Sequence, residues 1–134
     1  MIETTPEQTL QYLREAVAAR GEHYVYPEEW KMYYHGEDTP TMCKYVTPDG
    51  SGPACIVGVV LHKYGVSLET LTERETQAGW RVAHELGADY VSRQMLSAAQ
   101  HAQDAGDSWG SALRQAESER AFDQRLSVTN VQID

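Results

Sequence analysis

Residues 41–65, TMCKYVTPDGSGPACIVGVVLHKYG, constrain this chain more than any other stretch: they hold both cysteines, dense glycine and proline punctuation and the longest apolar run. From Ala54 to Leu61 nearly every residue is apolar, the pattern of a helix covered on all sides rather than one lying on a surface. Pro53 suits a first helical position and Gly65 a stop, so the expected helix spans residues 53–64. In a chain of 134 residues such a helix is the natural core for the others to pack around. Ahead of it, Cys43 to Thr47 reads as a short strand that turns at Pro48, Asp49 and Gly50.

The remaining elements follow from caps and periodicity. Thr5-Pro6-Glu7-Gln8 is a helix start, Leu10, Leu13, Ala16 and Val17 form one stripe, and Gly21 closes the helix. His23 to Tyr26 alternates like a strand until Pro27; paired with residues 43–47 it makes a small antiparallel β element that must lean on helices. Ser67 to Leu71 is one helical turn. Thr72-Glu73-Arg74-Glu75 then forms a capping box that opens a helix to about Leu86, with Thr76, Trp80, Ala83 and Leu86 on its inner face. Ser92 begins the next helix, whose inner stripe is Val91, Met95, Ala98, Ala99 and Ala102. After Ala105-Gly106, Asp107 or Ser108 caps a last helix with Trp109, Ala112, Leu113 and Ala116 inward, and the two helices form an αα-hairpin. Residues 123–134, with Leu126, Val128, Val131 and Ile133, read as an edge strand or a frayed tail. The expected fold is α+β but mainly α: about five helices around the apolar helix at 53–64, with a small antiparallel β element, in a single domain over residues 1–134.

With 11 basic against 20 acidic residues, the net charge of −9 disfavours direct binding to a nucleic-acid backbone or an anionic membrane. An acidic inhibitor that mimics nucleic acid would need carboxylates in rows, and here they are scattered over every expected helix. The longest apolar run is too short to span a bilayer. The chain opens on Met1-Ile2-Glu3 and a polar helix, so no signal peptide is expected, and the cytoplasm with reduced cysteines is the expected location. Cys43 and Cys55 flank one turn and could pair in an oxidising compartment.

Three chemistries are open to these residues, each beside a simpler role. Cys55 lies at a helix start, where unpaired amides can activate a thiol, but a nucleophile also needs a histidine, and His23, His35, His84 and His101 are equally eligible from sequence. Its apolar neighbours favour packing. A metal site of Cys43, Cys55 and His62 is disfavoured because two helical turns separate Cys55 from His62 by about 10 Å; no metal or other cofactor is expected. Asp49-Gly50-Ser51-Gly52-Pro53 lacks the lysine and the spacing of a phosphate loop.

Tyr24, Tyr26, Trp30, Tyr33, Tyr34 and Tyr45 fall within a short span and form the candidate binding face, because tyrosine and tryptophan combine large contact area with a polar tip. Cys43-x-Tyr45, Gly52-Pro53-x-Cys55-Ile56-Val57-Gly58 and Ala99-Gln100-x-x-Gln103-Asp104-x-Gly106-x-x-Trp109-Gly110-x-Ala112-Leu113 together resemble a group of small uncharacterised proteins of actinobacteria and their bacteriophages. That resemblance covers most of the chain, carries no catalytic residue, and implies a phage-related accessory protein acting on a host protein. The expected function is therefore non-enzymatic protein–protein binding, to a host protein or to a second copy of the chain; the alternatives are a small cysteine-dependent enzyme using Cys55 and an acidic nucleic-acid mimic.

Overall fold

The computed structural model describes residues 1–32, 42–75 and 77–133. Within them lie six α-helices: α1 (Pro6–Arg20), α2 (Ile56–Lys63), α3 (Leu68–Glu73), α4 (Gly79–Glu85), α5 (Tyr90–Asp104) and α6 (Trp109–Ile133). Buried apolar side chains from all six merge into one cluster that includes Leu13, Ile56, Leu71, Val82, Met95 and Trp109. The mainly helical expectation holds. No helix among the described residues is long and apolar enough to cross a membrane.

α1 starts as its sequence dictates: the Thr5 hydroxyl accepts the Gln8 amide, Pro6 opens the helix, and Gly21 ends it at φ 98°. α2 has Ile56, Val57, Gly58, Val60 and Leu61 all buried, as an all-apolar run requires. Its start differs from expectation. Pro53 is not helical but pairs with Val46 in an isolated bridge, and Cys55 is the N-cap, its sulfur accepting from the Gly58 amide at 3.4 Å. Burial and centrality also separate: α2 packs chiefly on α1 and α5, whereas α5 packs on α1, α2, α4 and α6.

Two glutamines explain why α5 takes that central place. Gln103, fully buried, accepts the Ile56 amide at 2.8 Å, and Gln100 accepts the Gly79 amide at 2.9 Å. One turn of α5 thereby satisfies the opening amides of α2 and α4, the latter preceded by Ala78, which has no side chain to cap with. Gly79 is needed at that contact, since a Cβ there would lie 2.7 Å from Gln100 Oε1 and 3.2 Å from Val57 Cγ1.

The antiparallel β element expected from residues 23–26 and 43–47 is not supported. Val25 bridges Ser108 and Val46 bridges Pro53, and the only ladder among the described residues is two residues a side, Lys31–Met32 against Met42–Cys43. The backbone near Val25 has a different partner: Tyr24 and Glu22 carbonyls accept the Trp109 and Gly110 amides, each at 2.8 Å, and so cap α6. The helix expected from Thr72 is also corrected. Thr72 closes α3 by donating to the Leu68 carbonyl, a turn intervenes, and the next helix begins only at Gly79. Of the face expected to hold Trp80 and Ala83, Ala83 is buried but Trp80 is 50% exposed, and Val82 is in the core instead. Finally, the tail is not a strand: α6 runs without a break to Ile133.

Candidate protein-interaction surface

Most of the described part of the aromatic segment serves the interior. Tyr26 and Tyr45, expected on a binding face, are 1% and 0% exposed. The Tyr26 hydroxyl donates to the Trp30 carbonyl at 2.9 Å and accepts the Lys44 amide at 2.8 Å, which ties the backbone at Trp30 and at Lys44 to one buried side chain. Tyr45 donates to the Gln77 carbonyl, and its own carbonyl accepts the Ala54 amide at 2.8 Å. Tyr24 stacks edge-on against Trp109, centroids 4.8 Å apart, and Trp30 stacks on Tyr26. Tyr24 and Trp30 are half-buried. Tyr33 and Tyr34 lie outside the described residues.

Arg20 binds this layer to the helices. Its guanidinium donates to the Pro53 and Ala54 carbonyls, both at 2.6 Å, and lies 4.7 Å from the Trp109 ring centre. The end of α1, the entry to α2 and the start of α6 therefore meet at one side chain.

Cys55 is fully buried and unpaired, and its sulfur is engaged as a helix cap. His84 is bonded to Arg93 and His62 to the Val66 carbonyl, while His23 and His101 are exposed. His35 is outside the described residues. Among those residues no group of three or more His, Cys, Asp and Glu side chains is placed to hold a metal ion. The loop at 47–52 closes on its own carboxylate: Asp49 accepts from the Thr47 and Ser51 hydroxyls, both at 2.7 Å, and from the Ser51 amide at 3.0 Å. These bonds bring the Asp49 pKa down to about 2. The donors that a phosphate would need already face an anion.

The surface with unsatisfied contact capacity lies elsewhere, on the outer side of the α5–α6 hairpin. Tyr90 is 60% exposed, Phe122 53% and Leu126 47%. They border one cleft of about 100 Å³ together with Val91, Glu119 and Asp123. Gln94 and Glu119 also border a more polar depression that continues past Ser97, Ala98 and His101 to Asp107. The shared residues make the two depressions one groove along the helix pair.

Each wall is held firmly. Asp89 caps α5, accepting the Ser92 amide at 2.9 Å, and is itself bonded by the Thr4 hydroxyl, so Tyr90 projects from a fixed first turn. Arg93 lies over the Tyr90 ring, 5.5 Å from its centre. α6 is tied to α1 by the Arg14–Glu117 ion pair at 3.1 Å and by Arg120 with Glu7. A hydrogen bond to its own backbone amide and the Arg120 partner keep the Glu7 carboxyl below its usual range. With that face turned to α1, the face bearing Phe122 and Leu126 is left uncovered. Glu119 and Asp123 have no ion-pair partner among the described residues.

Sequence reasoning missed this groove because it read residues 123–134 as an edge strand or a frayed tail rather than as a continuation of the last helix. The available signal was Phe122 and Leu126 at i, i+4 spacing, which puts the two on one side of a helix that runs on past Ala116, away from its buried stripe. Comparison of the chain with protein-family models, with curated proteins and with solved structures gave no significant match in any of the three.

Proposed function

We propose that this chain is a non-enzymatic accessory protein that acts by binding another protein, with the outer face of the α5–α6 hairpin as its contact surface. The supporting observation is that Tyr90, Phe122 and Leu126, three of the largest exposed apolar side chains, border the same cleft. Single exposed hydrophobics are ordinary on any surface, whereas a grouped set rimmed by polar residues marks contact sites. The aromatic segment from Tyr24 to Tyr45 is not retained as that surface, because Tyr26 and Tyr45 are interior.

The reading is tested by affinity capture from the producing cell with wild type, a Phe122→Ser/Leu126→Ser variant and a Val25→Ser/Trp80→Ser variant. The last pair removes exposed apolar groups outside the groove. All three are first shown to be folded by circular dichroism. The expected result is a saturable partner lost only by the groove variant; a partner that the groove variant retains defeats the proposal.

A further inference from the structure

Resting on the binding role just proposed, we infer that the groove's occupant is a basic amphipathic helix of a partner protein, about 15 residues long, lying along α5 and α6. The shape of the site selects a helix. Its walls are two helices whose backbone amides and carbonyls are bonded internally, so no strand edge is available for β-augmentation. A third helix can seat its ridges in the groove between two others, and the small residues Ser97, Ala98 and Ala105 along one wall allow close approach. The 15 residues of α5 give the groove a length of about 22 Å, the rise of an equally long partner helix.

Charge selects the sign of that helix. Three carboxylates line the groove, Asp123 and Glu119 beside the apolar end and Asp107 at the far end, and they outnumber the cation at its edge, the Arg93 guanidinium over the Tyr90 ring. A helix with leucine-like anchors for the Tyr90, Phe122 and Leu126 cleft and lysine or arginine on its flanks matches both features. A second copy of this chain fits poorly: each copy carries a net charge of −9 and would set the same carboxylates against each other.

The test uses a labelled 15-residue peptide with leucines at helical spacing and lysines on its flanks, and a control in which glutamate replaces every lysine, titrated with the full chain by fluorescence anisotropy. The lysine peptide is expected to bind and the glutamate peptide to bind at least tenfold more weakly. Glu119→Lys/Asp123→Lys should weaken the lysine peptide about tenfold, as two rim charges reversed together would. Glu69→Lys/Glu73→Lys on α3 makes the same charge change outside the groove and should alter binding by less than about twofold. Equal binding of both peptides overturns the charge selectivity while leaving the groove as a docking face. Equal weakening by both lysine variants, or unchanged binding by Phe122→Ser/Leu126→Ser, reduces the effect to general attraction to an acidic protein and overturns the inference. Absence of binding by either peptide, or a dimer in sedimentation that the groove variant abolishes, also overturns it, and the second result names the occupant as another copy of the chain.

Discussion

Replacing Gln103 with methionine isolates the role of the buried glutamines. The two side chains have similar length and volume, so the change leaves almost no cavity, but the acceptor for the buried Ile56 amide disappears, together with the donor to the part-buried Asp104 carboxylate at 3.0 Å. Ile56 and Gln103 are both 0% exposed, which denies that amide a water molecule as substitute. A buried donor left unpaired costs about 1–3 kcal/mol. For a chain of this size that corresponds to a melting temperature lower by about 3–15 °C. Urea unfolding followed by circular dichroism should show a lower midpoint with an unchanged slope, as expected when the native state is weakened without changing the surface exposed on unfolding. Hydrogen exchange adds a local reading: the Ile56 amide should lose protection more than its neighbours in α2. Gln94→Met on the exposed side of the same helix serves as the control, with an expected change within about 0.5 kcal/mol. If Gln103→Met is as stable as that control and Ile56 remains protected, α5 does not cap α2 in the manner described.

Further substitutions probe the other contacts. Gly58→Ala places a Cβ 2.5 Å from the Tyr45 carbonyl oxygen, and the resulting overpacking of about 1–3 kcal/mol should exceed the roughly 1 kcal/mol gained in helix propensity, so a more stable variant would refute the contact. Arg20→Lys keeps the charge but loses the fork that meets the Pro53 and Ala54 carbonyls and the flat contact with Trp109; a loss of about 1–3 kcal/mol in urea unfolding is expected, and no loss would contradict the clamp. Burial raises the Asp104 pKa from 3.8 to about 6, against the opposing pull of the Gln103 hydrogen bond and of Lys31 and His101. The folded protein therefore holds a proton there that the unfolded chain has released, so this group's contribution falls as pH rises between those values and is flat above them. The total is at most about 3 kcal/mol. Asp104→Asn should remove that slope, and stability curves of wild type and variant that run parallel from pH 4 to 7 would refute it.

Elements announced by their own local chemistry were legible from the residues. Thr5, Pro6 and Gly21 bracket α1, and the apolar run of α2 is buried as read. Errors arose where a local motif had two uses. Pro53 is competent to start a helix and equally to sit in an extended bridge, and the contact with Val46 decides for the bridge. Thr72 to Glu75 has the letters of a capping box, yet Ser67 had already capped a helix through the Thr70 amide, and Thr72 falls in its last turn. Gln100 and Gln103 were invisible to hydropathy because a polar residue on a helix reads as solvent-facing; only their distant partners, Gly79 and Ile56, show why they are inside. The aromatic segment illustrates the reverse limit. Composition marks tyrosines as adhesive but not which surface they adhere to, and Tyr26 and Tyr45 adhere to the protein's own backbone. The exposed set at Tyr90, Phe122 and Leu126 depends on which side of α6 meets the core, a tertiary fact seen in the burial of Trp109, Ala112 and Ala116 and accompanied by the Arg14–Glu117 and Arg120–Glu7 pairs.

The most direct measurement for the proposed role is site-specific photo-crosslinking in the producing cell, with a benzophenone amino acid placed singly at Tyr90, Phe122 or Leu126 and, for comparison, at Val25 or Trp80. The comparison positions are exposed to a similar degree but lie outside the groove. The account predicts one discrete adduct shared by the three groove positions and absent from the other two. Adducts confined to Val25 or Trp80, or equal at all five positions, would contradict it.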